Sequence, residues 1–365
     1  MNRHGHRRVE AIFAAGDGDG ESDLVLKVTD DRRWQAFGGW SNTGSQATGR
    51  NRYFVGFGAW VPEFNDLTVS YQLTGSEDFW RQPGRIALRE GAFPSYAGHS
   101  ARIVLPTLHR QALEFSPALV ASREQADLFT AFETTTLELP VIYRSAVSEL
   151  VPGIYLGDVY AGFEVKRLWR TTFFAGTAVA NGDAGLFQLV AGWAHSIADR
   201  HGRTSIDVRV KVNPGGVVSG NDAATWGAFS GGRINDVRYA YAGLDLARQT
   251  ILPFGFSLSN QLQAIAAAIP LPDTERLQLG GYHATRGFDI DDGSVDLGLV
   301  LRNELRLPTL SLAGATGVPD ALSPYLFLDV AHGRDLFLER SITLAGAGAG
   351  FDYELGQSLS LGVAA

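Results

Sequence analysis

The chain of 365 residues contains no cysteine and a single methionine. Disulfide frameworks, thiolate metal sites and thiol nucleophiles are therefore excluded. No apolar run approaches the roughly eighteen residues that a membrane-crossing helix requires. Basic residues are the minority, 31 Lys and Arg against 39 Asp and Glu, for a net charge of −8. No basic stripe runs along the chain, so no nucleic-acid partner is expected. The histidines, at 4, 6, 99, 109, 195, 201, 283 and 332, lack the spacing of metal ligands. Neither a G-x-S-x-G elbow nor a phosphate-cradling motif is present, so the expectation is no enzyme, no metal and no other cofactor.

What is abundant is glycine, 43 residues, together with apolar residues that recur at every second position. From Ser205 to Val212, Ile206, Val208, Val210 and Val212 alternate with Ser205, Asp207, Arg209 and Lys211. From Tyr53 to Val61, the odd positions are apolar, with Gly56 and Gly58 opposite. From Asp158 to Lys166, Val159, Ala161, Phe163 and Val165 alternate with Asp158, Tyr160, Gly162, Glu164 and Lys166. A period of two marks strands with one apolar face. About fifteen such segments occur, most of roughly 8–14 residues, longer than the strands of a soluble sandwich and suited to a tilted bilayer crossing. Connections alternate between short (62–66, 106–110, 199–203, 248–253) and long (75–98, 167–185, 214–233, 266–293). Short turns at one rim and long loops at the other define a membrane barrel, and no repeated blade motif supports a propeller. Bacterial barrels favour even counts, and an open edge in lipid leaves backbone groups unpaired. The count of fifteen, with an ending of strand character at 358–365, therefore predicts that a last strand is lacking. The first twenty residues have too weak an apolar core for a signal peptide, so the chain is expected to start downstream of its natural beginning.

The stretch 277–308 concentrates the unusual features. Thr285-Arg286-Gly287-Phe288 places an arginine in a Gly-rich loop. The strand after it sets Leu299, Leu301 and Leu305 against Arg302, Glu304 and Arg306. Farther on, Tyr325, Phe327, Asp329 and Ala331 share the face opposite Leu326, Leu328 and Val330, so Asp329 and Glu304 point away from lipid. Asp289, Asp291, Asp292 and Asp296 depart from calcium-loop spacing and read as a solvated acidic loop. Gly346, Gly348 and Gly350 alternate along one strand and suit a closely approached wall.

Several blocks occur in the order of a known family: Ser41-Asn42-Thr43-Gly44-Ser45 with Thr48-Gly49 and Arg52, Leu105-Pro106-Thr107-Leu108 with Arg110, and Gln263-Ala264 with Leu271-Pro272. Leu279-Gly280-Gly281, Thr285-Arg286-Gly287-Phe288, Glu304-Leu305-Arg306-Leu307-Pro308 and Phe327-Leu328-Asp329 follow. From about Gly20 to Ala365, the chain resembles the two-partner secretion transporters of the haemolysin secretion/activation type (FhaC/ShlB/HecB), within the POTRA-plus-barrel superfamily that includes BamA and TamA. Thr285 stands where that family usually has valine, and Ala331 where its strand motif has glycine, with Gly333 two residues on.

The resemblance implies an all-β transmembrane antiparallel barrel of sixteen strands, about fifteen of them visible here, with a long loop folded into the lumen. It implies two regions, a POTRA remnant and linker at 1–31, with Leu24, Leu26 and Val28 in its last strand, and a barrel at 32–365. It also implies the bacterial outer membrane as location, with membrane lipid and lipopolysaccharide around the barrel. The implied function is passage of a large secreted exoprotein of β-helical, haemolysin or adhesin type through the lumen without nucleotide energy. The alternative is a BamA/TamA-like insertion factor for outer-membrane proteins. The implied site is the lumen-loop motif Thr285, Arg286, Gly287 and Phe288, with Asp329 and Glu304 as ion-pair partners of Arg286. Phe327, Asp329 and Gly333 form the strand motif.

Overall fold

The computed structural model describes residues 7–15, 22–30, 33–88, 93–153, 155–314 and 318–365. β1 (Arg7–Ala15) and β2 (Ser22–Asp30) form an antiparallel hairpin separate from the main sheet. Leu24, Leu26 and Val28 fall in β2, but their side chains lie outside the described residues.

The main sheet begins with β3 (Trp34–Ser41), β4 (Arg52–Val61), β5 (Leu67–Gly75) and β6 (Tyr96–Pro106). β7 (Gln111–Phe115) and β8 (Ala118–Gln125) follow, then β9 (Thr130–Ala146), β10 (Asp158–Phe174) and β11 (Thr177–Asp199). Next come β12 (Gly202–Asn213), β13 (Tyr239–Ile251) and β14 (Ser257–Ala267). A two-stranded hairpin, β15 (Leu277–Gln278) with β16 (Ser294–Val295), stands apart from the wall. β17 (Leu297–Arg306), β18 (Asp320–Asp335), β19 (Arg340–Leu355) and β20 (Leu359–Ala364) complete the sheet.

Every pairing in the sheet is antiparallel, and chain neighbours are sheet neighbours except β7 and β8, which do not pair with each other. The wall comprises sixteen strands, but β7 and β8 both pair with β6 and β9 and occupy a single position interrupted at Ser116 and Pro117. Proline has no N–H to give the ladder, which accounts for the break. β3 and β20 are the two ends of the sheet. They are brought together: one cavity of about 1020 Å³ is lined by residues 33–38 of one end and by Gln357 and Ser358 beside the other. Because the positions are odd in number and alternate in direction, β3 and β20 run the same way, and no ladder joins them among the described residues. β20 reaches only the Gly350–Leu355 stretch of β19.

The period-two patterns become two chemically distinct surfaces. Leu326 and Leu328 are each 53% exposed on the outside, whereas Asp329 between them and Val330 is fully buried on the inside. Val208, Val210 and Val212 are likewise outward and exposed. A continuous apolar exterior is stable only against lipid. Leu328→Arg is accordingly expected to cost about 2–4 kcal/mol in reversible refolding into lipid vesicles, against little for the same change at the rim; an unchanged denaturation midpoint would count against a lipid-facing wall.

One expected loop is not a loop. Residues 167–185 continue β10 and β11, joined by a tight turn at Ala175 and Gly176, both with positive φ. The stretch reads as a loop because its apolar residues cluster, as at Phe173 and Phe174, instead of alternating cleanly. Two other long connections do fold inward. The segment between β12 and β13 carries a short helix, Ala223–Phe229, whose Trp226 is buried with Leu168, Leu186, Tyr239, Tyr241 and Ile265. Its indole Nε1 donates to the Gly185 carbonyl at 2.8 Å. The connection between β14 and β17 is the second, and it carries the arginine motif.

Candidate functional site: an ion-paired loop in the lumen

The loop between β14 and β17 holds itself together before it meets the wall. Leu279 N donates to Gly293 O at 2.9 Å, Thr285 N to Leu279 O at 3.1 Å and Gly281 N to Phe288 O at 3.1 Å. Gly287 has φ +91°, a left-handed conformation that glycine alone adopts without strain. Leu279, Ala284 and Val295 of the loop pack against Val300 of β17 and Ala331 of β18. Gly333 also belongs to this seat: a Cβ there would lie 2.5 Å from Val295 Cγ2, so its bareness admits the loop's valine. Thr285 is fully buried, and its hydroxyl has no hydrogen-bond partner among the described residues, so the position is an apolar one.

Arg286 lies at the turn of this folded loop. Its Nε donates to Asp329 Oδ2 at 2.6 Å and its Nη2 to Asp329 Oδ1 at 2.8 Å, a bidentate pair. Its backbone N–H reaches the same Oδ2 at 3.2 Å, and Nη1 donates to Glu304 Oε1 at 2.6 Å. The guanidinium stacks on Phe327, 3.9 Å from the ring centroid, which gives the aromatic residue of the strand motif a direct contact with the cation. Glu304 is shared, since its Oε2 accepts from Arg306 Nη2 at 3.0 Å. Among the described residues, the hydrogen-bond donors to Asp329 all belong to Arg286.

β19 makes room for the arrangement. Gly346, Gly348 and Gly350 pair with Asp329, Phe327 and Tyr325 in register. A Cβ at Gly346 would run into the Arg286 carbonyl oxygen; one at Gly348 would lie 2.6 Å from the Phe327 ring, and one at Gly350 2.5 Å from the Tyr325 ring. The alternating glycines are thus the floor on which the loop tip and both rings rest.

A second charged group, not foreseen from the sequence, holds the approach to the motif. Glu275, its side chain 1% exposed, reaches Lys166 Nζ of β10 at 2.7 Å and Lys211 Nζ of β12 at 3.3 Å, and accepts from the Tyr241 hydroxyl at 2.6 Å. Burial pushes its carboxyl pKa up, but the two ammonium groups outweigh that and hold it well below the ordinary carboxylate range. The alternation of β10 put Glu164 and Lys166 on the inner face, yet nothing in the sequence pointed to Glu275 as their partner. A third group contains a correction. Asp296 is not part of a solvated loop; it is fully buried and accepts from Arg233 Nη2 at 2.8 Å. Arg233 and Arg276 also both reach Asp335, at 3.1 and 2.5 Å. Asp289 is half-buried, and its Oδ2 accepts from Gln46 N at 3.0 Å and ties the loop to the β3–β4 connection. No cluster of metal-ligating residues occurs among the described residues.

The family model described as haemolysin secretion/activation protein ShlB/FhaC/HecB matches residues 157–353, more than half of the chain. Similar solved structures include CdiB from Escherichia coli, 16% identical with a TM-score of 0.73, over 98% of this chain and 63% of that one. CdiB from Acinetobacter baumannii is 14% identical with a TM-score of 0.62, over 98% of this chain and 62% of that one. BamA from Haemophilus ducreyi lacking POTRA domains 1–3 is 10% identical with a TM-score of 0.54, over 98% and 71%. At these identities the likeness is one of fold, and the chain spans about 63% of the first of these structures. Among curated proteins no sequence matches.

Proposed function

Since the chain belongs to the ShlB/FhaC/HecB family of haemolysin secretion/activation proteins, we propose that it is an outer-membrane transporter that passes a large secreted exoprotein through its lumen. The observation that carries this reading is the bidentate Arg286–Asp329 pair, which fastens a loop, not a strand of the wall, across the interior. A chain passing through needs that space, and a loop held by ion pairs can yield it where a strand of the wall cannot. Thr285, Gly287 and Phe288 shape the tip, Arg286 is the fastening, and Asp329 with Glu304 is its socket. Phe327 and Gly333 position the socket and the loop's apolar underside. We assign no nucleotide to the process: folding of an extended, β-helical client outside the cell would draw the chain outward. The apolar exterior would face acyl chains and lipopolysaccharide, and the β1–β2 hairpin would close a POTRA-type domain on the opposite side of the membrane.

Deletion of the gene, followed by protein profiling of the medium and of the outer membrane, tests the assignment. The expected outcome is loss of one large polypeptide from the medium with the other outer-membrane barrels at normal levels. A general fall in those barrels would instead favour an insertion factor and sink the secretion reading.

A further inference from the structure

The tip of the lumen loop and the stretch that leads to it are fastened in physically different ways. At Arg286, Asp329 has no second cation among the described residues. At Glu275, each charged wall group keeps another partner, and the Tyr241 hydroxyl is the one wall group that gives up its hydrogen bond. Lys166 retains Glu138 at 3.0 Å and Glu164 at 3.1 Å, and Lys211 retains Glu164 at 2.7 Å. These two lysines and two glutamates of β9, β10 and β12 are neutral between them without Glu275. The neighbouring fastening has the same form: if Arg276 withdraws, Asp335 keeps Arg233 at 3.1 Å and the Phe337 and Leu338 amides at 2.9 Å each.

A buried charge left alone is costly, whereas one that keeps a partner is not. Removal of Arg286 would therefore strand Asp329, but removal of Glu275 and Arg276 would strand neither the lysines nor Asp335. The segment between has fixed ends. Leu271 is fully buried among Trp226, Tyr241 and Ile265, and its N–H donates to Asp296 Oδ1 at 2.8 Å. Leu277 is paired with Val295 in the β15–β16 hairpin. Between them, residues 272–276 cross the inner wall, with the Asp273 side chain 64% exposed on the lumen side and Glu275 turned to the wall.

We infer that residues 272–276 are a releasable strap, fastened by Glu275 and Arg276 to a wall that is charge-balanced in its absence, so that the lumen opens along β10 and β12 while Arg286 stays seated. This deepens the transport reading and rests on it for the purpose of the opening. A ligand or chain can move a two-state segment only through unequal interaction with its two states, and a balanced wall keeps the detached state within reach.

The test uses the full-length protein in planar lipid bilayers, with no client present. Glu275→Gln keeps the shape but removes the charge. It is expected to raise open-channel occupancy about tenfold or more, with heat-modifiable migration of the folded barrel unchanged. Lys211→Gln, which leaves Glu275 with Lys166 and the Tyr241 hydroxyl, should shift occupancy in the same direction by less. Wild-type occupancy in both variants overturns the proposal. So does failure of Glu275→Gln to fold together with wild-type gating in Lys211→Gln, since Glu275 would then be a structural group only. Because the readout needs no client, loss of secretion without a gating change would bear on the transport reading and not on the strap.

Discussion

Arg286→Ala is expected to destabilise the folded barrel by roughly 3–5 kcal/mol, because the substitution removes one partner of a buried ion pair and leaves the other in place. Asp329 is fully buried and receives its hydrogen bonds from Arg286 alone among the described residues, so no neighbour can take over. Glu304 suffers less, since Arg306 remains at 3.0 Å. The measurement is reversible denaturant unfolding in lipid vesicles, read as a lower midpoint at an unchanged slope. The double variant Arg286→Met/Asp329→Leu separates fastening from bulk stability. Removing both charges together replaces the pair by apolar groups of similar size, which is often neutral or stabilising. Its midpoint should therefore return towards wild type while export of the client remains impaired. Restored stability with restored export would show that the pair serves the barrel's stability and has no part in transport.

Gly346→Val should have the second largest effect, and it acts without touching a charged group. The Arg286 carbonyl lies against the bare Cα of Gly346, and the obstacle to a Cβ there is backbone, which cannot swing aside as a flexible side chain can. Either β19 or the loop tip must shift. The wall is held by sixteen pairs between β18 and β19, so the tip is the part that yields. Overpacking of this kind typically costs about 1–3 kcal/mol. The larger consequence is geometric: displacement of the tip lengthens the bidentate contacts to Asp329, which depend on alignment. Hydrogen exchange supplies the readout, because the Arg286 amide is bonded to Asp329 Oδ2 at 3.2 Å. Amide protection across 279–288 should fall in Gly346→Val and remain in Gly84→Val, where the added side chain meets open space. Equal protection in both variants would mean that the loop does not rest on β19 as described.

The reach of the sequence can be judged residue by residue. The alternation of Leu326, Leu328 and Val330 with Phe327, Asp329 and Ala331 is visible to the eye and already separates lipid from lumen, since successive side chains of a regular strand point to opposite faces. Arg286 stood out because an arginine in a Gly-rich turn needs a partner somewhere. Glu275 did not stand out: a glutamate between Thr274 and Arg276 looks like any solvated turn, and only the inward course of the chain brings it to Lys166 and Lys211. Asp296 misled for the same reason, as four aspartates in eight residues read as a wet loop until Arg233 arrives from the β12–β13 connection. The 167–185 stretch misled in the opposite direction, because its apolar residues do not alternate cleanly and Asn181, Gly182, Asp183 and Gly185 look like a turn, although they lie within β11 and pair with β10.

By itself, then, the sequence determined most of the strands, their two faces and the placing of Asp329 and Glu304 away from lipid, while the resemblance implied the antiparallel wall and the inward course of Arg286. The strands, the faces and the placing of the two carboxylates follow from periodicity and from the cost of placing charge in hydrocarbon, which act over a few residues. The tertiary structure alone decided that Glu275 meets Lys166 and Lys211, that Arg233 meets Asp296, and that the loop is fastened more firmly at Arg286 than at Glu275. Those depend on the closure of the sheet, which brings together residues separated by 64 positions in Lys211 and Glu275 and by 243 in Gln46 and Asp289. Local pattern carries no record of such distances.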